Sequence, residues 1–92
     1  MPKQLVVEQI EVTQNGTIQI RMHKLSGEGD LIGNHRTAVP PGGDVAAQFY
    51  AVNTHMATEG YQAVSSADVA RVQSVADAVC TTEVIAAYQA SA

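Results

Sequence analysis

Along the first twenty-five residues apolar and polar positions alternate. Val6, Ile10 and Val12, then Ile18, Ile20 and Met22, fall at spacings of two or its multiples with polar residues between them. That is the period of a half-buried strand. Leu5 to Leu25 therefore reads as a β-hairpin that turns within Thr13-Gln14-Asn15-Gly16-Thr17. A two-residue Asn15-Gly16 loop would set Val12 opposite Gln19 and Ile10 opposite Arg21, mixing the faces. A three-residue Gln14-Asn15-Gly16 loop sets Val12 opposite Ile18 and Ile10 opposite Ile20. It also puts Gly16 at the left-handed position of a type I turn closed by a G1 bulge. A one-residue slip turns every side chain over, so the apolar pattern selects the three-residue loop.

Ser26-Gly27-Glu28-Gly29-Asp30 is polar and glycine-rich, a second turn. Leu31 to Val39 follows as a third strand, poor in alternation and weakened by Gly33. Pro40-Pro41-Gly42-Gly43 ends the sheet, because prolines cannot donate to a ladder. The period then becomes helical. Asp44 suits an N-cap, Val45, Phe49, Val52 and Met56 form one stripe, and Gly60 closes the helix. After a short linker from Tyr61 to Val64, Ser65-x-x-Asp68 resembles an acidic capping box. It opens a helix with the stripe Val69, Val72, Val75, Ala76 and Val79. Thr81 caps a short third helix that has Glu83 in its first turn and Val84, Ile85 and Tyr88 on its apolar face.

Strands first and helices afterwards define an α+β fold. The expectation is an antiparallel β-hairpin, extended to a three-stranded meander, followed by three short α-helices. Residues 1–92 form a single domain, with the meander over 1–39 and the helical part over 44–91.

Composition changes this picture in one respect. Hydrophobic residues make up 46% of the chain, yet the aromatics are Phe49, Tyr50, Tyr61 and Tyr88 alone. Ala and Val bury less area than Leu or Phe, and small domains with thin cores gain stability by assembling. Homo-oligomerisation is therefore expected.

The net charge of −4, with Lys3, Arg21, Lys24, Arg36 and Arg71 dispersed, points away from nucleic acid, which selects clustered basic surface. No apolar run approaches a membrane span of about 18 residues, and no signal-peptide core opens the chain, so synthesis and folding are expected in the cytoplasm. The lone Cys80 has no intrachain disulfide partner and reads as a small buried hydrophobe.

The candidates for chemistry are sparse. His23, His35 and His55 lack the short pair spacing typical of zinc sites. Strand pairing could bring His23 near His35, with Glu28 as a further ligand. Gly42-Gly43-Asp44 precedes a helix, but Asp44 would fill the N-terminal site itself and repel a phosphate. Glu8 and Glu11 fall on opposite strand faces, and Asp68 and Asp77 lie too far apart for paired acid–base work. No G-x-S-x-G or comparable nucleophile motif occurs. No catalytic, cofactor-binding or metal-ligating residue is expected, and the chain reads as a non-enzymatic interaction domain. Its surfaces carry the interest: Glu8 interrupts the apolar strand face. A third strand would protect one edge of the hairpin and leave the other open for pairing with another chain.

The succession Ile10-Glu11-Val12-Thr13-Gln14-Asn15-Gly16-Thr17-Ile18-Gln19-Ile20-Arg21, then His35-Arg36-Thr37-Ala38-Val39-Pro40-Pro41-Gly42-Gly43-Asp44, resembles small proteins encoded among tail genes of tailed bacteriophages and prophages. Ala51-Val52-Asn53-Thr54-His55-Met56, Val64 to Ala70 and Thr81 to Tyr88 extend the likeness over nearly the whole chain. The pattern departs at Thr82, where proline is expected at the first helical position. The resemblance implies a virion protein at the tail tip or fibre attachment, with phage structural proteins or further copies of itself as partners. It transfers no functional residues. The alternative is a phage-encoded regulator or inhibitor that binds a host protein through its acidic surface. A small metal-dependent enzyme is a third, weaker alternative.

Overall fold

A computed structural model describes residues 2–91. The two ends of the expected domain, residues 1 and 92, lie outside them. The chain forms β1 (Gln4–Val12), β2 (Ile18–Leu25) and β3 (Leu31–Val39), then α1 (Val45–Ala57), α2 (Ser66–Val79) and α3 (Thr82–Ser91). The sheet is antiparallel in the order β1-β2-β3, so the fold is the α+β meander-then-helices expected from the sequence.

The hairpin register agrees with the three-residue loop: Val12 faces Ile18 and Ile10 faces Ile20. The Thr13 N–H donates to the Thr17 carbonyl at 2.9 Å, and Asn15 Oδ1 accepts from the Thr17 N–H at 3.1 Å. Gly16 takes φ of 91°, the left-handed conformation that closes this turn.

Further along β1 the expectation fails. The alternation placed Val6 on the buried face, but Leu5 and Val7 lie in the core and Val6 is 38% exposed. The cause is a β-bulge: Val7 faces Met22 and Gln9 faces Arg21, leaving Glu8 as an extra residue. An extra residue advances the side-chain phase by one. Odd positions point inward before the bulge and even positions after it. Glu8 thus switches the strand between its two apolar phases rather than interrupting one. A second irregularity at the start of β3 leaves Ile32 extra between the Leu25–Leu31 and Lys24–Gly33 pairs.

All three β2 positions Ile18, Ile20 and Met22 are almost fully buried under the helices. Val45, Phe49, Val52 and Met56 of α1 and Val72 and Ala76 of α2 complete the same core, with Tyr61 and Val64 between them. Val69, Val75 and Cys80 pack at its margin. Burying a side chain such as Phe49 stabilises the fold by about 1.5–3 kcal/mol.

The helix termini follow local chemistry. Asp44 Oδ1 accepts from the Ala47 N–H at 3.1 Å. At the far end of α1 the Gly60 N–H reaches the Ala57 carbonyl and the Tyr61 N–H reaches the Met56 carbonyl, the paired bonds of a Schellman closure with Gly60 at φ of 90°. Ser65 Oγ accepts from the Asp68 N–H at 3.2 Å. Thr81 Oγ1 accepts from the Val84 N–H at 3.2 Å, so α3 starts in an ordinary way despite Thr82 in place of proline. No residue of α3 is fully buried, and it leans on the hairpin turn through Val84.

Candidate interaction surface

The helices cover one face of the sheet and leave the other bare. On the bare face each register row crosses three strands: Glu11–Gln19–Ala38, Gln9–Arg21–Arg36 and Val6–His23–Asn34. The Glu8 carboxylate joins the middle of this face. Its Oε2 accepts from Arg21 Nε at 2.7 Å and lies 3.8 Å from His23 Nε2. The hydrogen bond from Arg21, reinforced by the charges of Arg21 and His23, holds the Glu8 carboxyl below its ordinary value of 4.5. The same bond, helped by Glu11, raises Arg21. Both side chains are about one-third exposed, so the pair organises the surface more than it stabilises the fold.

Glu8 and Glu11 were expected on opposite strand faces. The bulge corrects this: Gln9 and Glu11 face Arg21 and Gln19 on the bare side, and Glu8 reaches Arg21 there too. Gln9, Glu11, Gln19, Arg21, Arg36 and Ala38 border an open concavity of about 470 Å³. Arg36 makes no ion pair among the described residues and stands on the outermost strand.

At the opposite end the bare face is apolar. Leu31 and Ile32 are 57% and 52% exposed, and the half-buried Leu25 pairs with Leu31. Isolated exposed apolar residues are ordinary; a contiguous group beside a free strand marks a contact surface.

The two sheet edges differ in a way the sequence reading reversed. The open edge was expected on the side of the hairpin away from the third strand, that is, along β1. Instead the start of β1, from Lys3 to Val7, is covered. The Gln62 N–H donates to the Lys3 carbonyl at 2.8 Å, and Tyr61 forms a parallel bridge with Lys3. Asp68 Oδ2 then accepts from the Val7 N–H at 3.0 Å. The acidic capping box is therefore only half formed, because Asp68 serves β1 rather than the Ser65 N–H. Along β3, among the described residues, no bridge or side-chain hydrogen bond reaches the outer main chain.

The histidines do not converge. His23 faces Asn34 on the bare side, whereas His35 faces Met22 beneath the helices, so the expected neighbours lie on opposite faces. Glu28 sits exposed in the second turn. His35 instead stacks against His55 of α1, with ring centroids 6.5 Å apart, and His55 Nε2 lies 3.5 Å from Glu59. Partial burial, with Lys24 and His55 adding repulsion, lowers His35 from its ordinary 6.5. Among the described residues no three His, Cys, Asp or Glu side chains are placed to hold one metal ion. Asp44 occupies the start of α1 itself, Cys80 is half-buried against the core, and Asp77 accepts from Gln73 Nε2 at 2.8 Å, remote from Asp68. Lys3 and Lys24 both lie over the Tyr61 ring, 5.3 and 5.6 Å from its centroid.

The sequence did hold a signal for the bulge. Leu5 and Val7 are out of phase with Ile10 and Val12, and the polar Glu8-Gln9 pair separates them.

A scan against protein-family models finds no match, and searches of curated proteins and of solved structures find none either. Among the described residues no helix is long and apolar enough to cross a membrane.

Proposed function

We propose that this chain is a non-enzymatic assembly protein that joins partners through the bare face and free β3 edge of its sheet. One observation carries the reading: Tyr61, Gln62 and Asp68 cover the β1 edge from Lys3 to Val7, while no such contact reaches the β3 edge beside the exposed Leu31 and Ile32 among the described residues. Folded chains that remain solitary blunt both edges. Main-chain groups on a free strand give affinity, and the adjoining side chains select the partner.

The sequence resemblance extends the proposal to a structural component of a tailed phage, at the tail tip or fibre attachment, made in the host cytoplasm and retained in the virion. Quantitative mass spectrometry of purified particles tests this. A fixed copy number per virion is expected, and absence from intact particles removes the structural assignment. The second reading, a phage-encoded regulator that grips a host protein, draws on the net charge of −4. It predicts specific recovery of one host protein from lysate and no chain in the particle.

A further inference from the structure

We infer that the free edge of β3 pairs with β3 of a second copy of this chain, antiparallel about a two-fold axis at His35, to make one continuous six-stranded sheet. The inference rests on the assembly reading above and deepens it by naming the partner and the register. Three features of β3 lead to it.

The first is the length of clean strand. The irregularity between the Leu25–Leu31 and Lys24–Gly33 pairs bounds the strand at one end, so Ile32 to Val39 is the stretch of outer edge before Pro40 stops the ladder. A symmetric antiparallel pair must set residues of the same face opposite each other, so the axis passes through a residue. Only axes at His35 and Arg36 pair seven of these eight residues.

Charge then separates the two. An axis at Arg36 sets that guanidinium directly against its own copy, and directly opposed like charges destabilise a strand pair. An axis at His35 sets Arg36 opposite Asn34 of the partner, and Ile32 opposite Ala38. Gly33 then meets Thr37 on the helix-covered side. No pair of like formal charges is directly opposed in this register.

Apolar burial is the third feature. Ile32, 52% exposed in the single chain, gains a direct apolar neighbour in Ala38 of the second copy. Each copy supplies both halves of this contact, as a two-fold interface requires. The thin Ala/Val core gives such a dimer a stabilising role as well as a connecting one.

Sedimentation equilibrium over a micromolar-to-millimolar series tests the pairing, with circular dichroism as a check that each variant is folded. Wild-type chain should approach twice its 9.7 kDa mass. Ile32→Lys combined with Ala38→Lys sets lysines opposite each other and should weaken dimerisation by roughly tenfold or more. Ile32→Glu combined with Ala38→Lys sets opposite charges against each other in this register and should keep the dimer, with an affinity that falls as salt rises. Wild-type chain that stays monomeric across the series overturns the inference, and so does a dimer indifferent to the paired lysines. Dissociation by the lysines without retention in the Glu/Lys variant overturns the register. A monomeric chain present at fixed copy number in virions would remove this dimer while leaving the assembly function standing. A dimer absent from virions would do the reverse.

Discussion

The Asp68 carboxylate, in the first turn of α2, accepts a hydrogen bond from the Val7 main-chain N–H at 3.0 Å. This joins the helical half of the chain to the strand edge immediately before the bulge. Hydrogen bonds to charged groups contribute about 1.5–3 kcal/mol. Asp68→Ala should therefore lower stability by about that amount in urea denaturation. Asp68→Asn, which retains an acceptor oxygen, should cost less. Equal stability of Asp68→Ala and wild type would show that the bond contributes nothing.

The bulge assigns unlike roles to adjacent valines. Val7 is 3% exposed and Val6 is 38% exposed. Val7→Ala should cost about 1–3 kcal/mol through lost burial and a cavity, whereas Val6→Ala should stay within about 0.5 kcal/mol. Chemical denaturation of the two variants side by side checks this, and the reverse ranking would place the bulge elsewhere.

Gly16 answers two demands at once. Its φ of 91° disfavours a side chain, and a Cβ built there would lie 2.5 Å from Val84 Cγ1 of α3. Gly16→Ala should lose more than about 1 kcal/mol. Val84→Ala in the same chain should recover the steric part but not the backbone part. A double-mutant cycle with no coupling would separate α3 from the turn.

His35 sets a pH dependence whose sign is fixed. Its folded pKa lies below the ordinary 6.5 because burial, Lys24 and His55 oppose the imidazolium, with only Glu59 favouring it. The unfolded chain therefore takes up the proton first. Stability is whole above about pH 6.5, declines as pH falls below it, and levels once the folded ring is protonated. His35→Gln should flatten the fall of the urea midpoint that begins below about pH 6.5, while leaving the carboxylate-driven loss at lower pH, where Glu8 titrates. Parallel wild-type and variant curves would assign the slope to other groups.

The legible parts of the fold were those encoded locally. Gly16 and the apolar partners on either side of it specify the Val12–Ile18 register, and Asp44, Ser65 and Thr81 mark their helix starts through short-range bonds. The bulge was obscured because Leu5, Val6 and Val7 are all apolar, so either phase of β1 fits these three residues. The role of Asp68 was hidden because it satisfies an N–H sixty-one positions earlier in the chain. For the same reason the free edge was assigned to β1: local pattern reveals strands, but which edge a later linker seals is decided by tertiary packing. His35 and His55 likewise meet only because α1 crosses β3.

The central claim is that this chain works through the free edge of β3 and the bare sheet face beside it. Amide hydrogen exchange read by mass spectrometry, on the concentrated, associated chain against the dilute isolated chain, addresses it directly. Peptides covering Leu31–Val39 should exchange markedly more slowly in the associated chain, because their free N–H groups gain partners. Unchanged exchange in β3, with new protection confined to α2 or α3, would contradict it.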